Sequence, residues 1–397
     1  MAPAAVESAT GASVTSLPII KGGSSAAKLS GVLDQYEAFD VTPTIGREFP
    51  KANLAEWLNA PNSDELIREL AITISQRGVV FFRAQDDLTN ELQKKLIIRL
   101  GELSGRPQSS GLHVHPVLNS EREDGGDDLE ISTISSKQYK RLYHNTSDDG
   151  VVKRRPDTEL WHSDIAFEPV PADYTSLRVV EFPPTGGGEF NLPTYSLPKD
   201  SVYPKQGAIV ELTMGCADTL WASGYELYDR LSPAYQKFLE SLTATFAQPF
   251  FEKMAKDKGF QLHSKPRGSP ENVGEKLKAI HPVIRTNPVT GWKSIFPVGA
   301  HVSHINNVTS EESQNLLKWF YSLVQDHSVQ VRLRWQNAND IAIWDNRSTF
   351  HTATYDYYSL GDRFGVRVVG VGERPFFDPQ SKSRTEDLVE QERKSQS

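Results

Sequence analysis

Trp161-His162-Ser163-Asp164-Ile165-Ala166-Phe167 is the stretch on which the reading of the fold turns. It reads as extended chain, and alternate residues of a strand share a face. His162 and Asp164 would then present an imidazole and a carboxylate to one point. The apolar runs around it are of the same short, turn-bounded kind: 176–182, 279–286, 329–335, 341–344 and 365–371. Many short strands with a few helices attached predict a mainly β fold with flanking helices (α+β), a β-sandwich or jelly roll and not a doubly wound sheet. No G-x-G-x-x-G follows a strand and opens a helix, and no phosphate-binding P-loop is present.

The helices announce themselves by period and caps. Ser63, Asp64 and Glu65 open one whose Leu66, Ile67, Leu70 and Ile74 recur at helical spacing and which stops before Gly78. Val79-Val80-Phe81-Phe82 then reads as a buried strand. Thr89 caps a helix carrying Leu92, Leu96 and Leu100, and Ser232-Pro233 is an N-cap followed by a first-turn proline. Thr309 with Glu312 forms a capping box ahead of Leu316, Leu317, Phe320, Leu323 and Val324.

The chain has 397 residues, 43 Lys and Arg against 51 Asp and Glu, and a net charge of −8. An acidic chain without a long basic block is a poor partner for nucleic acid, whose phosphates must be neutralised. No run approaches the ~18 apolar residues of a membrane span. A lone cysteine, Cys216, excludes an intrachain disulfide and favours a reducing, cytoplasmic setting. Residues 1–29, rich in Ala, Ser and Gly, read as a disordered leader, 30–378 as the folded domain, and 379–397 as a charged tail.

A third ligand for the point shared by His162 and Asp164 must come from elsewhere. Trp344-Asp345-Asn346-Arg347-Ser348-Thr349-Phe350-His351 offers His351. Two His and one carboxylate on one face of an octahedron form the facial triad of non-haem Fe(II) oxygenases, whose open positions take cosubstrate and O₂. An H-x-D alone is weak, since most such tripeptides are a surface His beside a solvated Asp, so the surrounding motifs decide.

Those motifs resemble the TauD/TfdA family of 2-oxoglutarate-dependent dioxygenases, and the taurine and alkylsulfonate dioxygenases within it. The resemblance is carried, in order, by Trp161 to Phe167, Pro183-Pro184-Thr185-Gly186-Gly187 and Asp218-Thr219-Leu220-Trp221. It continues through His281-Pro282-Val283-Ile284-Arg285, the Trp344–His351 block, and Arg363 with Arg367. It implies a double-stranded β-helix (jelly-roll) core with Fe(II) held by His162, Asp164 and His351, and O₂ and 2-oxoglutarate as cosubstrates. Arg363 matches the family's arginine for the far carboxylate of 2-oxoglutarate, a task suited to a forked, permanently charged guanidinium. Thr219 matches the threonine that assists it. Arg367 and His115, the latter from His113-Val114-His115-Pro116, match the residues that bind a substrate sulfonate. Leu118, Thr158 and His301 depart from the pocket residues of taurine dioxygenases, so the resemblance points to an organosulfonate and not to taurine itself.

The implied reaction hydroxylates the carbon bearing sulfur and releases sulfite and an aldehyde. The alternatives are the same chemistry on a sulfate ester, an aryloxyalkanoate or a purine such as xanthine, or a catalytically impaired jelly-roll protein. The expected partner is a small anion, with neither nucleic acid nor membrane, and a homo-oligomer is compatible with the sequence. Between Gly187 and Asp218 the family has no counterpart to residues 188–217. They read as a surface excursion or as a translated intron, since Gly188-Glu189-Phe190, Leu212-Thr213 and Ala217-Asp218 can all be encoded by splice sequences. Excision would join Thr-Gly-Gly directly to Asp-Thr-Leu-Trp.

Overall fold

Val79-Val80-Phe81-Phe82 is apolar at every position because both faces of the strand it forms are covered. The computed structural model describes residues 27–118, 126–137, 161–182, 218–354 and 362–396. The leader up to residue 26, Thr158, and residues 188–217 with Cys216 lie outside the described residues.

In chain order the first strands are β1 (Phe39–Asp40), β2 (Arg47–Phe49), β3 (Val79–Phe82), β4 (Ile131–Ser135), β5 (Ala172–Glu181), β6 (Thr219–Ser223) and β7 (Thr243–Ala247). They are followed by β8 (Lys278–Pro282), β9 (Ile284–Thr286), β10 (Lys293–Ile295), β11 (Val302–Ile305), β12 (Gln330–Leu333), β13 (Asp340–Asp345), β14 (Thr349–Ala353) and β15 (Phe364–Val371). The helices are α1 (Leu54–Asn59), α2 (Ser63–Arg77), α3 (Asn90–Leu103), α4 (Gly224–Asp229), α5 (Pro233–Leu239), α6 (Pro249–Lys258), α7 (Ser310–Val324) and α8 (Arg384–Ser395).

Among the described residues seven strands build the large sheet in the order β1-β2-β3-β13-β5-β15-β4, antiparallel except where β2 meets β3. A second sheet has the order β12-β6-β14, a third β11-β7-β8, and β9 pairs with β10. Strand alternation divides the core. Val79 and Phe81 of β3 and Ala342 and Trp344 of β13 pack with Trp221 of β6 and Val331 and Leu333 of β12, filling the space between the two sheets. The intervening residues Val80, Phe82, Ile341 and Ile343 pack with Trp57, Leu66, Leu70, Leu96 and Leu100 of the helices on the opposite face. The mixed, sheet-rich architecture with flanking helices is thus the one expected.

The helix signals hold in position, although Ser232 makes no side-chain capping bond ahead of Pro233. Thr89 accepts from the Leu92 N–H, the Thr309–Glu312 capping box is present, and α2 ends at Gly78, whose φ of 74° suits a residue without a side chain. The run 279–286 is broken at Val283 into β8 and β9, and the helix after Pro233 ends at Leu239, short of Leu242. Within the charged tail lies α8, closed by a Ser383–Glu386 capping box and held by Trp292 Nε1 donating to Asp387 and Thr385 donating to Asp229. None of its residues is buried, so no apolar stripe marks it in the sequence. Among the described residues no helix is long and apolar enough to cross a membrane.

Candidate active site

The strand expected around His162 is in fact a single bridge followed by a turn. His162 pairs with His351 of β14 through two backbone hydrogen bonds, of 3.1 and 2.9 Å. The chain then turns at once, with Ile165 at a φ of 47°, a left-handed conformation that is costly for a β-branched residue. The alternation argument therefore gave the right pair for the wrong reason. What aims Asp164 is the turn, and what holds the turn is Asn346.

Asn346 accepts the Asp164 N–H at 3.0 Å through its side-chain oxygen, and its backbone carbonyl accepts the Ser163 hydroxyl at 2.8 Å. Its amide nitrogen donates to Thr175 Oγ1 of β5 at 2.8 Å, so the turn is tied to the large sheet. Downstream, His281 Nε2 lies 3.0 Å from the Ala166 carbonyl and 3.1 Å from that of Glu168. Burial first, and then Arg285, push the His281 imidazole down to about 3, so it is neutral and donates. The Glu168 carboxylate takes a bidentate pair from buried Arg267 at 2.5 and 2.8 Å and lies 3.4 Å from His113 Nε2. Asp345 is no rival ligand, because Arg347 holds both its oxygens at 2.7 and 2.8 Å.

His162, Asp164 and His351 come together with their ligand atoms all within 4.8 Å of one another. His162 Nε2 is 4.0 Å and His351 Nε2 3.9 Å from Asp164 Oδ1, and the two rings are 4.3 Å apart. Burial would raise the Asp164 carboxyl, but Arg367, then His351 and His162, outweigh it and hold it at about 2. His351 is pushed well below the usual histidine range by burial and by its neighbour His162. Both imidazoles side by side with an ionised carboxylate are a donor set that fits a divalent transition metal. Asp164 Oδ2 is buried and, with the Thr175 hydroxyl near the carboxylate, has no close hydrogen-bond partner among the described residues, an anionic oxygen left for it.

The two arginines differ in their surroundings. Arg367, on β15, donates from Nη1 to Asp164 Oδ1 at 2.8 Å, while its Nε is buried without a partner. Arg363, just before β15 and only 4% exposed, donates from Nη2 to Thr219 Oγ1 at 3.3 Å, and Trp335 Nε1 reaches the same oxygen at 3.3 Å. Its Nε also lacks a partner, and no carboxylate among the described residues pairs with it. His115 lies 3.0 Å from the Val117 backbone through Nδ1, with its ring 5.2 Å from Phe251. A row of rings continues from there: Phe251 to Phe167 at 6.0 Å, Phe167 to His301 at 5.1 Å, and His301 to His162 at 5.5 Å.

The TauD/TfdA family model, described as taurine catabolism dioxygenase TauD, TfdA family, matches residues 37–369. This chain belongs to the TauD/TfdA family. It is 50% identical over 361 residues to an alpha-ketoglutarate-dependent dioxygenase, btcD, of Neocamarosporium betae, covering 90% of this chain and 97% of that one. A putative alpha-ketoglutarate-dependent sulfonate dioxygenase of Schizosaccharomyces pombe is 29% identical, with 83% and 68% covered. Among solved structures, a putative alpha-ketoglutarate-dependent taurine dioxygenase from Burkholderia xenovorans superposes with a TM-score of 0.58 at 22% identity, covering 87% and 96%. As a TauD/TfdA enzyme the chain is a 2-oxoglutarate-dependent dioxygenase that uses Fe(II), 2-oxoglutarate and O₂ and acts on a small molecule.

Asn346, Arg267 and Phe251 are the site's unforeseen parts. Asn346 sits inside the quoted Trp344–His351 block, where its place between two structural ion-pair residues was the available signal. Arg267 and Phe251 come from segments with no motif.

Proposed function

We propose that this dioxygenase hydroxylates an organosulfonate at the carbon bearing sulfur, on a double-stranded β-helix core formed within residues 30–378. The carrying observation is Arg367: a guanidinium fixed against the metal-centre carboxylate whose Nε donor is buried and unclaimed among the described residues. A buried donor without an acceptor is unfavourable until an anion arrives. A sulfonate, ionised at every working pH, satisfies it.

His162, Asp164 and His351 would hold the iron, which with 2-oxoglutarate and O₂ supplies the oxidation of a C–H bond. Arg363 would take the distal carboxylate of 2-oxoglutarate, with Thr219 beside it. A buried guanidinium with no carboxylate partner among the described residues supports that role. Arg367 would anchor the sulfonate, with His115 assisting from the far end of the ring row. The anchored head then sets which carbon lies over the triad, and the aromatic wall excludes water from it. One O₂ oxygen enters succinate as 2-oxoglutarate loses CO₂. The other enters the substrate carbon, whose hydroxyl adduct expels sulfite and leaves an aldehyde. The lone cysteine of the chain, Cys216, supports a reducing, cytoplasmic setting for this reaction.

A panel of alkanesulfonates, sulfate esters, aryloxyacetates, alkanoates and xanthine tests the reading, with Fe(II) supplied and succinate measured. Stimulation by sulfonates above all others, with sulfite released, is expected. Stimulation by xanthine or an aryloxyacetate and by no sulfonate would overturn it.

A further inference from the structure

We propose that His301 is a substrate-binding residue that offers its Nε2–H to a hydrogen-bond acceptor on the substrate. It would thereby select an oxygen-bearing chain over a plain alkyl chain. The proposal rests on the reading of the metal centre above, because His301 is placed by its contact with that centre. Its ring stands nearly perpendicular to that of His162, at 81° and 5.5 Å, and to that of Phe167, at 82° and 5.1 Å. It is part-exposed while lying among these rings.

The orientation of the imidazole is set from behind. Gln248 Nε2 lies 3.1 Å from His301 Nδ1, and an amide nitrogen can only donate. Nδ1 is therefore the acceptor, and a neutral imidazole accepting there carries its proton on Nε2. No hydrogen-bond partner for Nε2 exists among the described residues, so the donor remains for a ligand. A phenylalanine would supply the same ring packing without this donor.

The backbone is fixed as firmly as the ring. Gly299 has a φ of 91°, and a Cβ there would lie 1.6 Å from the Trp161 carbonyl oxygen, so only glycine lets this loop meet the metal-binding segment. The Ala300 N–H donates to that same carbonyl at 3.1 Å, and the His301 carbonyl accepts the Ala247 N–H at 2.8 Å. The Gln248 N–H is itself held by the Leu277 carbonyl at 2.9 Å. The donor is preorganised, so binding an acceptor costs little further ordering.

Two measurements on the full chain test this. In zinc-loaded protein labelled with ¹⁵N-histidine, the resonances absent from His301→Phe should report a neutral ring protonated at Nε2. A ring protonated at Nδ1 overturns the proposal. Calorimetry in the presence of 2-oxoglutarate then compares two isosteric pairs: pentane-1-sulfonate with 2-ethoxyethane-1-sulfonate, and hexanoate with 3-ethoxypropanoate. The wild type should bind the ether of at least one pair about five- to tenfold more tightly, the worth of one net hydrogen bond. His301→Phe should lose that preference, and His301→Gln, which keeps an amide donor, should retain it. Discrimination by the carboxylate pair alone would sink the sulfonate reading and leave His301 standing. Equal binding within both pairs, no binding of any of the four, or a preference that survives in His301→Phe would overturn the proposal.

Discussion

Arg363 and Arg367 are four residues apart and have opposite claims on the centre. Arg367 already spends one donor on Asp164, whereas Arg363 meets the Thr219 hydroxyl and has no acid partner among the described residues. Arg363→Leu should raise the 2-oxoglutarate requirement by ~10- to 100-fold, consistent with losing a charged hydrogen-bonded pair of about 1.5–3 kcal/mol. The half-saturating sulfonate concentration should move much less, and steady-state kinetics varying each substrate in turn would expose the reverse pattern. Arg367→Ala should abolish sulfite release while slow, uncoupled decay of 2-oxoglutarate continues. Sulfonate oxidation at wild-type efficiency in that variant would place the anion site elsewhere. Both arginines, Thr219 and the three centre residues were legible in the sequence because each stands in a dense motif. The partners that aim them were not, since Arg267 and Phe251 lie in stretches whose function depends wholly on tertiary neighbours.

The turn after His162 shows how an element can be misread while its residues are not. An H-x-D with apolar flanks satisfies strand alternation, and nothing local announces that Ile165 adopts φ 47°. The conformation is enforced from other elements, by Asn346 between β13 and β14 and by His281 on β8. Asn346→Ala leaves the buried Asp164 N–H without an acceptor, a cost of about 1–3 kcal/mol. Metal affinity should fall by ~10- to 100-fold in that variant, as it does when a ligand loses its outer support. Unchanged affinity by titration would show that the turn holds itself. His281 gives the turn a pH dependence. Unfolded, it takes a proton below about pH 6.5, but folded it refuses one until about 3. The unfolded state thus binds more protons in that window, and stability rises with pH across it and is lost as pH falls. Urea unfolding of the metal-free protein at pH 5 and pH 7 should show this, at up to ~1.4 kcal/mol per pH unit from this residue. His281→Asn should lessen the slope, and an identical slope would contradict the assignment.

At the scale of the whole molecule, the sheet-rich class was readable from many short turn-bounded runs, and the helices on one face from their caps. The order of strands was not, because β13 is drawn between β3 and β5 from the far end of the sequence. Residues 188–217 interrupt the motif that leads into Thr219, and both readings of them make the same demand on the fold. A chain joining Gly187 to Asp218 should retain metal binding and 2-oxoglutarate turnover, and sequencing of the mature transcript would show whether the bases encoding residues 188–217 are retained. Loss of folding in the shortened chain would make the segment integral. The centre itself is a product of the whole fold, since its ligands come from a bridge, a turn and β14, nearly two hundred residues apart. Its most direct test is calorimetric titration of Mn(II), in the presence of 2-oxoglutarate, into the wild type and into His162→Ala, Asp164→Ala and His351→Ala. A single tight site in the wild type, lost in each folded variant, is the expected result; wild-type affinity in the three variants would contradict the assignment.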